Sequence, residues 1–433
     1  MPPDAPLPRT ARIPGSKSLT NRALLLAAAA PGTSRLWAPL VSDDTLAFRT
    51  ALTDLGLTVD AGPEDAYWDV TGTGRGPAGQ AAARVWCADA GTAARFLPPF
   101  AATGDGTFRF DGSAQLRARP LRPLLDALGE LGATVRAAEE GRAAPDALPF
   151  EVTAAGLDGG RIVVDSGMSS QYLSGLLMAA PLMRQGLEAD ARSLVSRPYV
   201  DMTLALMRRY GAQVETSADR IRVLPGRYRP TDLAIEPDAS TASYFFAAAA
   251  VTGRAVTVPG LGTGSLQGDL RFVDVLAKTG ARVSVGAGAT TVSGGGPLRG
   301  GFDVDMGEIS DTFMTLAAIA PLADAPVTIR GIGHARLKES DRIEAMAANL
   351  RACGIRVEEG ADRITVHPGR PAPARIACRR DHRIAMSFSV LALGSGVPLE
   401  LDDPGCVAKT FPGFHAEFRR LFPEITASSE EHR

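Results

Sequence analysis

The chain is poor in the residues that most often announce a chemistry by themselves. Among 433 residues there are 4 cysteines and 5 histidines. Cys87, Cys353, Cys378 and Cys406 are widely spaced and form no CxxC pair, so neither a disulfide framework nor a structural zinc site follows from them. They are expected as core or surface thiols. The histidines are isolated, with no HExxH and no His/carboxylate facial set, which argues against histidine metal ligation. Charge of one sign is lacking too: the formal net charge is -2, and nothing overall favours a nucleic-acid partner beyond a local basic cleft. Long apolar runs are absent. Leu24 to Ala30 falls far short of a membrane span, and MPPDAPLPRTARIPGSKS has no apolar core of a secretory signal. These absences lead us to expect a cytoplasmic protein with neither a membrane nor a nucleic-acid partner.

What is present is a chain too long for one ordinary core, with 45% hydrophobic and 22% charged residues, neither suggesting disorder. One phrase recurs at near-constant intervals: LGLTVD, LGATVR, YGAQVE, TGARVS and CGIRVE, around Gly56, Gly132, Gly211, Gly280 and Gly354. Helical periodicity precedes it each time, as in LRPLLDALGELGA and IEAMAANLRACGI. Each phrase therefore predicts a helix stopped by a glycine at positive φ, then a short strand. Five such phrases and a further helical stretch from Asp381 predict six α/β units, three per domain. A boundary is expected in the polar, proline-bearing segment Gly226 to Asp238, and a second near Pro14 and Gly15, so that the N-terminal strand belongs to the second domain. Either Asp238 or Ser240 is suited to cap the apolar helix that follows. Residues 137–149 and 285–301 read as surface loops.

Several helices open with cations and compact donors. PGSKSLTNRALLLAAAA places Ser16 or Ser18 as a cap, with Lys17 and Arg22 near the helix start, where free amides favour an anion. It is not GxxxxGK[ST], so no nucleotide P-loop is implied. CADAGTAARFL offers Asp89, Gly91, Thr92 and Arg95; DGSAQLRARPL offers Arg117 and Arg119, one of which suits a carboxylate or phosphate. Ser169, Ser170 and Gln171 open another apolar helix, and Ser196, Arg197 and Tyr199 follow in LVSRPYVD. Asp311 precedes ISDTFMTLAAIAPLA's apolar helix. GHARLKESDRIEAM contributes His334, Lys338, Glu339, Asp341 and Arg342, with Lys338, Asp341 and Arg342 expected on one face of a turn. RRDHRIAMSFSVLAL adds Asp381, His382 and Arg383, and DDPGCVAKTFPGF adds Lys409. Such a set suits a strongly anionic substrate pair, with Asp311 and Glu339 able to move protons once desolvation or neighbours tune them.

In this order, PGSKSLTNRALLLAA, DAGTAARF, RARP, SSQYLSGLLMAAP, LVSRPYVDMT, KESDRI, DHRIAM and AKTFPGF resemble the 3-phosphoshikimate 1-carboxyvinyltransferase (EPSP synthase) family, from about Arg9 to about Phe422. The resemblance implies the two-domain α/β enolpyruvyl transferase fold, an inside-out α/β barrel with three βαβαββ-type units per domain. It implies domains of 15–236 and of 1–14 plus 237–433, with the substrate cleft between them. The implied reaction joins phosphoenolpyruvate to the 5-hydroxyl of shikimate 3-phosphate by addition and elimination, in a monomer without metal or organic cofactor. Lys17, Ser18, Arg22, Ser169, Ser170, Gln171, Ser196, Tyr199, Asp311, His334 and Lys338 are implied on the shikimate 3-phosphate side. Lys17, Asp89, Gly91, Arg119, Gln171, Arg342, Arg383 and Lys409 are implied on the phosphoenolpyruvate side, with Asp44 near the reaction centre. Lys17, Asp311, Glu339 and Lys409 are the implied catalytic set.

Two positions depart from the family pattern. Asp89 stands where asparagine is usual, which predicts a carboxylate paired by Arg95 or Lys17, or partly protonated, or an altered site. His334 stands where asparagine is common. Both keep open a paralogue acting on a related cyclitol or shikimate derivative. UDP-N-acetylglucosamine enolpyruvyl transferase is disfavoured, because Ala114 stands where that family usually has cysteine.

Overall fold

The structure, a computed structural model, describes residues 8–77, 81–138, 145–163, 169–190, 194–218 and 220–423. The chain divides into two compact units, Gly15–Ile235 and Met1–Pro14 with Glu236–Arg433.

The unit Gly15–Ile235 contains three sheets of 4 strands each among its described residues. Their orders are Leu233–Ala234, Pro31–Trp37, Tyr67–Thr73, Thr58–Ala61; then Ala82–Trp86, Asp105–Asp111, Phe150–Ala155, Thr134–Ala137; then Gly160–Ile162, Leu187–Asp190, Arg220–Val223, Val214–Thr216. In every sheet the first pair is parallel and the next two pairs are antiparallel. A parallel pair needs a crossover, which the helices Ala93–Ala102 and Ser170–Ala179 supply in the second and third sheets, whereas Leu233–Ala234 returns to Pro31–Trp37 from the far end of the unit.

The other unit repeats the pattern in Arg9–Thr10, Ala255–Pro259, Ala289–Ser293, Arg282–Val285 and in Phe302–Asp305, Val327–Arg330, Ile364–Val366, Val357–Glu359. Its last module is shorter than expected: Ala374–Ile376 pairs in parallel with Leu399–Leu401, and no antiparallel hairpin joins them among the described residues. The N-terminal strand is tied here. Arg9 and Thr10 pair with Val256 and Thr257, the Arg12 amide donates to Glu417 at 2.6 Å, and Arg420 donates to the Thr10 carbonyl at 2.7 Å.

The repeated glycines do what the sequence predicts. Gly56, Gly132, Gly211, Gly280 and Gly354 have φ of 82, 105, 88, 92 and 78°, each just past a helix and before a strand. A side chain there would clash with the carbonyl in this left-handed region. One expectation fails. Residues 285–301 are not all loop, because Ala289–Ser293 forms a strand whose buried members alternate. Thr-Thr-Val is strand-prone, but flanking glycines hid so short a run. Of the other expected loop, 145–149 and 137–138 are described, and 139–144 lie outside the described residues, as do residues 1–7.

Helices that are apolar all round lie inside. Ala239–Thr252 is buried from Ala239 to Ala250, capped by Asp238, whose carboxylate accepts from the Thr241 amide at 2.7 Å. Phe245 meets the rings of Phe411, Phe414 and Phe418, fixing the C-terminal helix Phe414–Leu421 against it. Each fully buried phenylalanine contributes about 2–3 kcal/mol. In the first unit Gly175 lets two helices touch: a Cβ there would sit 2.4 Å from the Arg95 carbonyl oxygen. Among the described residues no helix is long and apolar enough to cross a membrane.

Candidate active site

In the unit Gly15–Ile235, the helix Lys17–Ala29 is capped by Ser16, whose hydroxyl accepts from the Leu19 amide at 3.4 Å. Lys17 is the first helical residue, and its Nζ lies 3.5 Å from the buried Asp44 carboxylate. One turn on, Arg22 is 1% exposed. Its Nε donates to Thr203 Oγ1 at 2.7 Å, and its Nη atoms donate to the Ser18 carbonyl at 3.1 Å, the Tyr199 carbonyl at 3.2 Å and Ser174 Oγ at 3.4 Å. The guanidinium also lies 5.1 Å from the Phe96 ring centre. No carboxylate among the described residues bonds to it, and burial pulls its pKa down to about 10. It is a desolvated cation held by neutral acceptors.

Beside this helix, Asn21 donates to Thr92 Oγ1 at 2.7 Å and anchors the turn through Gly91. A Cβ on Gly91 would lie 2.6 Å from Nη1 of both Arg119 and Arg95, so only glycine lets these guanidinium groups approach the backbone there. Arg95 donates to the Gly91 carbonyl at 3.0 Å; Arg95 and Arg119 are both buried. Arg117 is turned to Asp111 in a two-pronged pair at 2.8 and 2.7 Å, which leaves Arg119 as the arginine of this segment beside Gly91. Asp89 accepts from the Ser113 hydroxyl, and Lys17 pairs with Asp44.

Ser169 caps the helix Ser170–Ala179, accepting from the Gln171 amide at 3.3 Å. Ser170 and Ser196 are buried. Ser196 precedes the helix Arg197–Arg209 with φ 51° and ψ 47°, a left-handed conformation costly for a non-glycine residue and frequent at functional sites. Arg22 reaches this helix through the Tyr199 carbonyl, so Ser18, Arg22, Ser174, Ser196 and Tyr199 are brought together.

In the other unit, Arg342 opens the helix Arg342–Ala352, is 1% exposed, and is surrounded by carboxylates. Its Nε donates to Asp381 at 2.8 Å, Nη2 to Glu339 at 2.7 Å and Nη1 to Asp311 at 3.0 Å. These charges outweigh burial and raise its pKa. Arg383 donates to Asp311 at 2.8 Å from the first turn of His382–Ser395. Burial by itself would raise the Asp311 pKa, but Arg383, Lys338 and Arg342 hold its carboxyl well below the usual range. Asp381 caps that helix, accepting from the Arg383 amide at 3.1 Å and from Ser340 Oγ at 3.0 Å.

His334 Nε2 lies 2.7 Å from Ser310 Oγ, beside Asp311 in sequence. Burial, then the nearby Lys338, pull its pKa down to about 4, so it is a neutral imidazole at pH 7. Lys409, mostly buried, ends the turn Pro404–Lys409. Lys338 and Asp341 do not share a helical turn with Arg342: Lys338 follows the short helix Gly333–Leu337, and Asp341 caps Arg342–Ala352 while pairing with Arg336 at 2.7 Å. Among the described residues no group of three or more His, Cys, Asp or Glu is arranged to hold a metal ion.

A family model described as EPSP synthase (3-phosphoshikimate 1-carboxyvinyltransferase) matches residues 2–418. The chain belongs to the EPSP synthase family. A 3-phosphoshikimate 1-carboxyvinyltransferase of Nostoc punctiforme is 42% identical over 424 residues, covering 97% of each chain. One of Aeromonas salmonicida is 42% identical over 407 residues, covering 93% of each. The solved EPSP synthase of Acinetobacter baumannii superposes with a TM-score of 0.78 at 25% identity over 95% of each chain. The fold is also that of the enolpyruvyl transferase NikO from Streptomyces tendae, with a TM-score of 0.76 at 22% identity, covering 96% of this chain and 95% of NikO.

Within this EPSP synthase fold, sequence reasoning missed the neutral residues that hold the charged ones. Asn21, Ser174 and Thr203 are buried on helices of the one unit, and Ser310 and Ser340 lie in turns of the other. A buried Ser or Thr in an otherwise apolar helix was the available signal, since such a hydroxyl needs a partner.

Proposed function

We propose that the chain transfers the enolpyruvyl group of phosphoenolpyruvate to the 5-hydroxyl of shikimate 3-phosphate, releasing inorganic phosphate. The observation that carries this reading is the Asp311–Arg342–Glu339–Asp381–Arg383 cluster, in which two guanidinium groups hold one carboxylate ionised. Arg22 with Ser169, Ser170 and Ser196 supplies the complementary feature, a buried cation and compact hydroxyls suited to a phosphate.

The 5-hydroxyl attacks C2 of phosphoenolpyruvate while C3 takes a proton, giving a tetrahedral phospho-ketal. Loss of the C3 proton then expels phosphate and leaves the enol ether. Asp311 is a weak base because its arginines stabilise the carboxylate. Its role is to orient the hydroxyl and accept its proton as the new C–O bond makes that proton acidic. Lys17, Glu339 and Lys409 deliver and remove the proton at C3. Ser18, Gln171, Tyr199, His334 and Lys338 contact shikimate 3-phosphate; Asp89, Gly91, Arg119, Gln171, Arg342, Arg383 and Lys409 contact phosphoenolpyruvate, with Asp44 setting the position of Lys17. The arginines stabilise both anions and the charge that develops between them. The same reading makes the protein a cytoplasmic monomer that needs no metal or organic cofactor.

A second reading, a paralogue acting on a related cyclitol or shikimate derivative, is favoured only by Asp89 and His334. The deciding experiment measures phosphate release from phosphoenolpyruvate with shikimate 3-phosphate and identifies the product by mass. The expected result is one added enolpyruvyl group and a loss of roughly 10²–10⁴ in kcat for Asp311→Ala. Folded protein that binds phosphoenolpyruvate yet releases no phosphate would move the paralogue reading ahead.

A further inference from the structure

The sequence places Cys378 and Cys406 far apart and in no motif, yet the last module brings them side by side. Ala374–Ile376 and Leu399–Leu401 run in parallel, with Ile376 opposite Leu401, so the chain leaves both strands in the same direction. The two exits are then stitched together. The Asp402 amide donates to the Ile376 carbonyl at 3.1 Å, and the Cys378 amide donates to the Asp402 carboxylate at 2.7 Å. From there one branch leads through Arg379 and Arg380, both left-handed at φ 53 and 55°, to Asp381 and the helix carrying Arg383. The other enters the turn Pro404–Lys409, which contains Cys406 and ends at Lys409. The Cys406 thiol meets the Cys378 thiol across this junction. Both are free; Cys378 is fully buried and Cys406 is partly exposed.

We propose that Cys378 and Cys406 are a dithiol site that closes to an intramolecular disulfide with a low-molecular-weight disulfide as oxidant, and that closure lowers turnover by displacing Lys409. The order of attack follows from exposure. The Cys406 thiol loses its proton and attacks one sulfur of the oxidant, forming a mixed disulfide and releasing one thiolate. The Cys378 thiol then loses its proton and attacks the Cys406 sulfur, releasing the second. Two protein thiols lose two electrons, and one oxidant disulfide becomes two thiols. The contact with the Cys378 thiol first, then burial and the neighbouring carboxylates Asp403 and Asp381, disfavour the thiolate at Cys406, so the pair responds slowly, to a sustained change in redox balance. A covalent S–S bond is shorter than the contact of two thiols. Closing it pulls the Pro404–Lys409 turn toward the start of the Arg383 helix, and a shift of about 1 Å in a reacting group costs up to roughly 10²-fold.

The consequence for turnover rests on the role proposed above for Lys409; the chemistry of the thiols does not. The test treats the full chain with oxidised glutathione, blocks free thiols by alkylation, and maps peptides by mass. The expected product links Cys378 to Cys406, and dithiothreitol restores the thiols. Cys378→Ser should stop at a stable glutathione adduct on Cys406, and Cys406→Ser should leave Cys378 unmodified. Phosphate release should fall at least about tenfold in the oxidised wild type and return on reduction, with little change in either serine variant before oxidation. A glutathione adduct that persists on wild-type Cys406, or no modification of folded protein, overturns the dithiol site. A mapped disulfide with unchanged turnover overturns the effect on Lys409. Inactivity of the fully reduced wild type would instead count against the proposed reaction, while leaving the disulfide map to decide the thiol chemistry.

Discussion

Arg22 and Arg342 are equally buried, each 1% exposed, and electrostatically opposite. Arg22 donates to hydroxyls and carbonyls, and burial pulls its pKa down to about 10. Arg342 donates to three carboxylates, and its pKa is raised. The difference teaches that similar burial prepares two kinds of work. A cation held by neutral acceptors retains its attraction for an incoming anion. A cation enclosed by carboxylates has spent part of that attraction within the protein, where it also holds those carboxylates in place.

The largest effect that sharpens this comparison is on stability. Arg342→Met should destabilise the fold by about 3–5 kcal/mol, because it leaves Asp311, Glu339 and Asp381 without their common partner. Arg22→Met should cost no more than about 1–2 kcal/mol but weaken shikimate 3-phosphate binding by about ten- to hundredfold. Denaturant unfolding and calorimetry on both variants separate these outcomes; equal destabilisation would remove the distinction.

His334 extends the contrast to pH. Its pKa falls from 6.5 to about 4 in the folded chain, so the unfolded chain binds more protons across that window. Stability should therefore rise from pH 4 to 6.5 by roughly 3 kcal/mol on account of this residue and level off above it. His334→Asn should flatten that slope, as unfolding curves at several pH values would reveal.

Gly91→Ala puts a methyl group against the Arg119 and Arg95 guanidinium groups and should raise KM for phosphoenolpyruvate about tenfold, or roughly 1.4 kcal/mol, with the melting temperature little changed. Smallest is Ser196→Gly. It relieves a left-handed backbone and should add up to about 1 kcal/mol of stability while raising KM for shikimate 3-phosphate. A KM unchanged in that variant would remove Ser196 from the phosphate cradle.

What was legible in the sequence was local. The glycines at 56, 132, 211, 280 and 354 could be read because a positive φ after a helix is demanded by the backbone itself. Lys17, Arg22, Arg342 and Arg383 could be read because each lies in the first two turns of a helix. What could not be read was which partner each would meet. Thr203 bonds Arg22 from 181 residues away, and Arg342 finds Asp381 across 39. Asp89 accepts from the Ser113 hydroxyl of a neighbouring turn, a contact no spacing rule predicts. The strand Ala289–Ser293 was hidden because its pairing energy comes from Ala255–Pro259 and Arg282–Val285 rather than from its own five residues.

The N-terminal strand carries a consequence for synthesis. Arg12 finds Glu417 across 405 residues, and Arg9 and Thr10 wait for Val256 and Thr257. On the ribosome, Gly15–Ile235 emerges entire before the partners of that first strand exist. The opening residues must therefore stay unpaired while a whole unit is made behind them, and they are sealed only when the C-terminal helix arrives. The segment that leads directly into Lys17 is therefore made well before the strand that pairs with it.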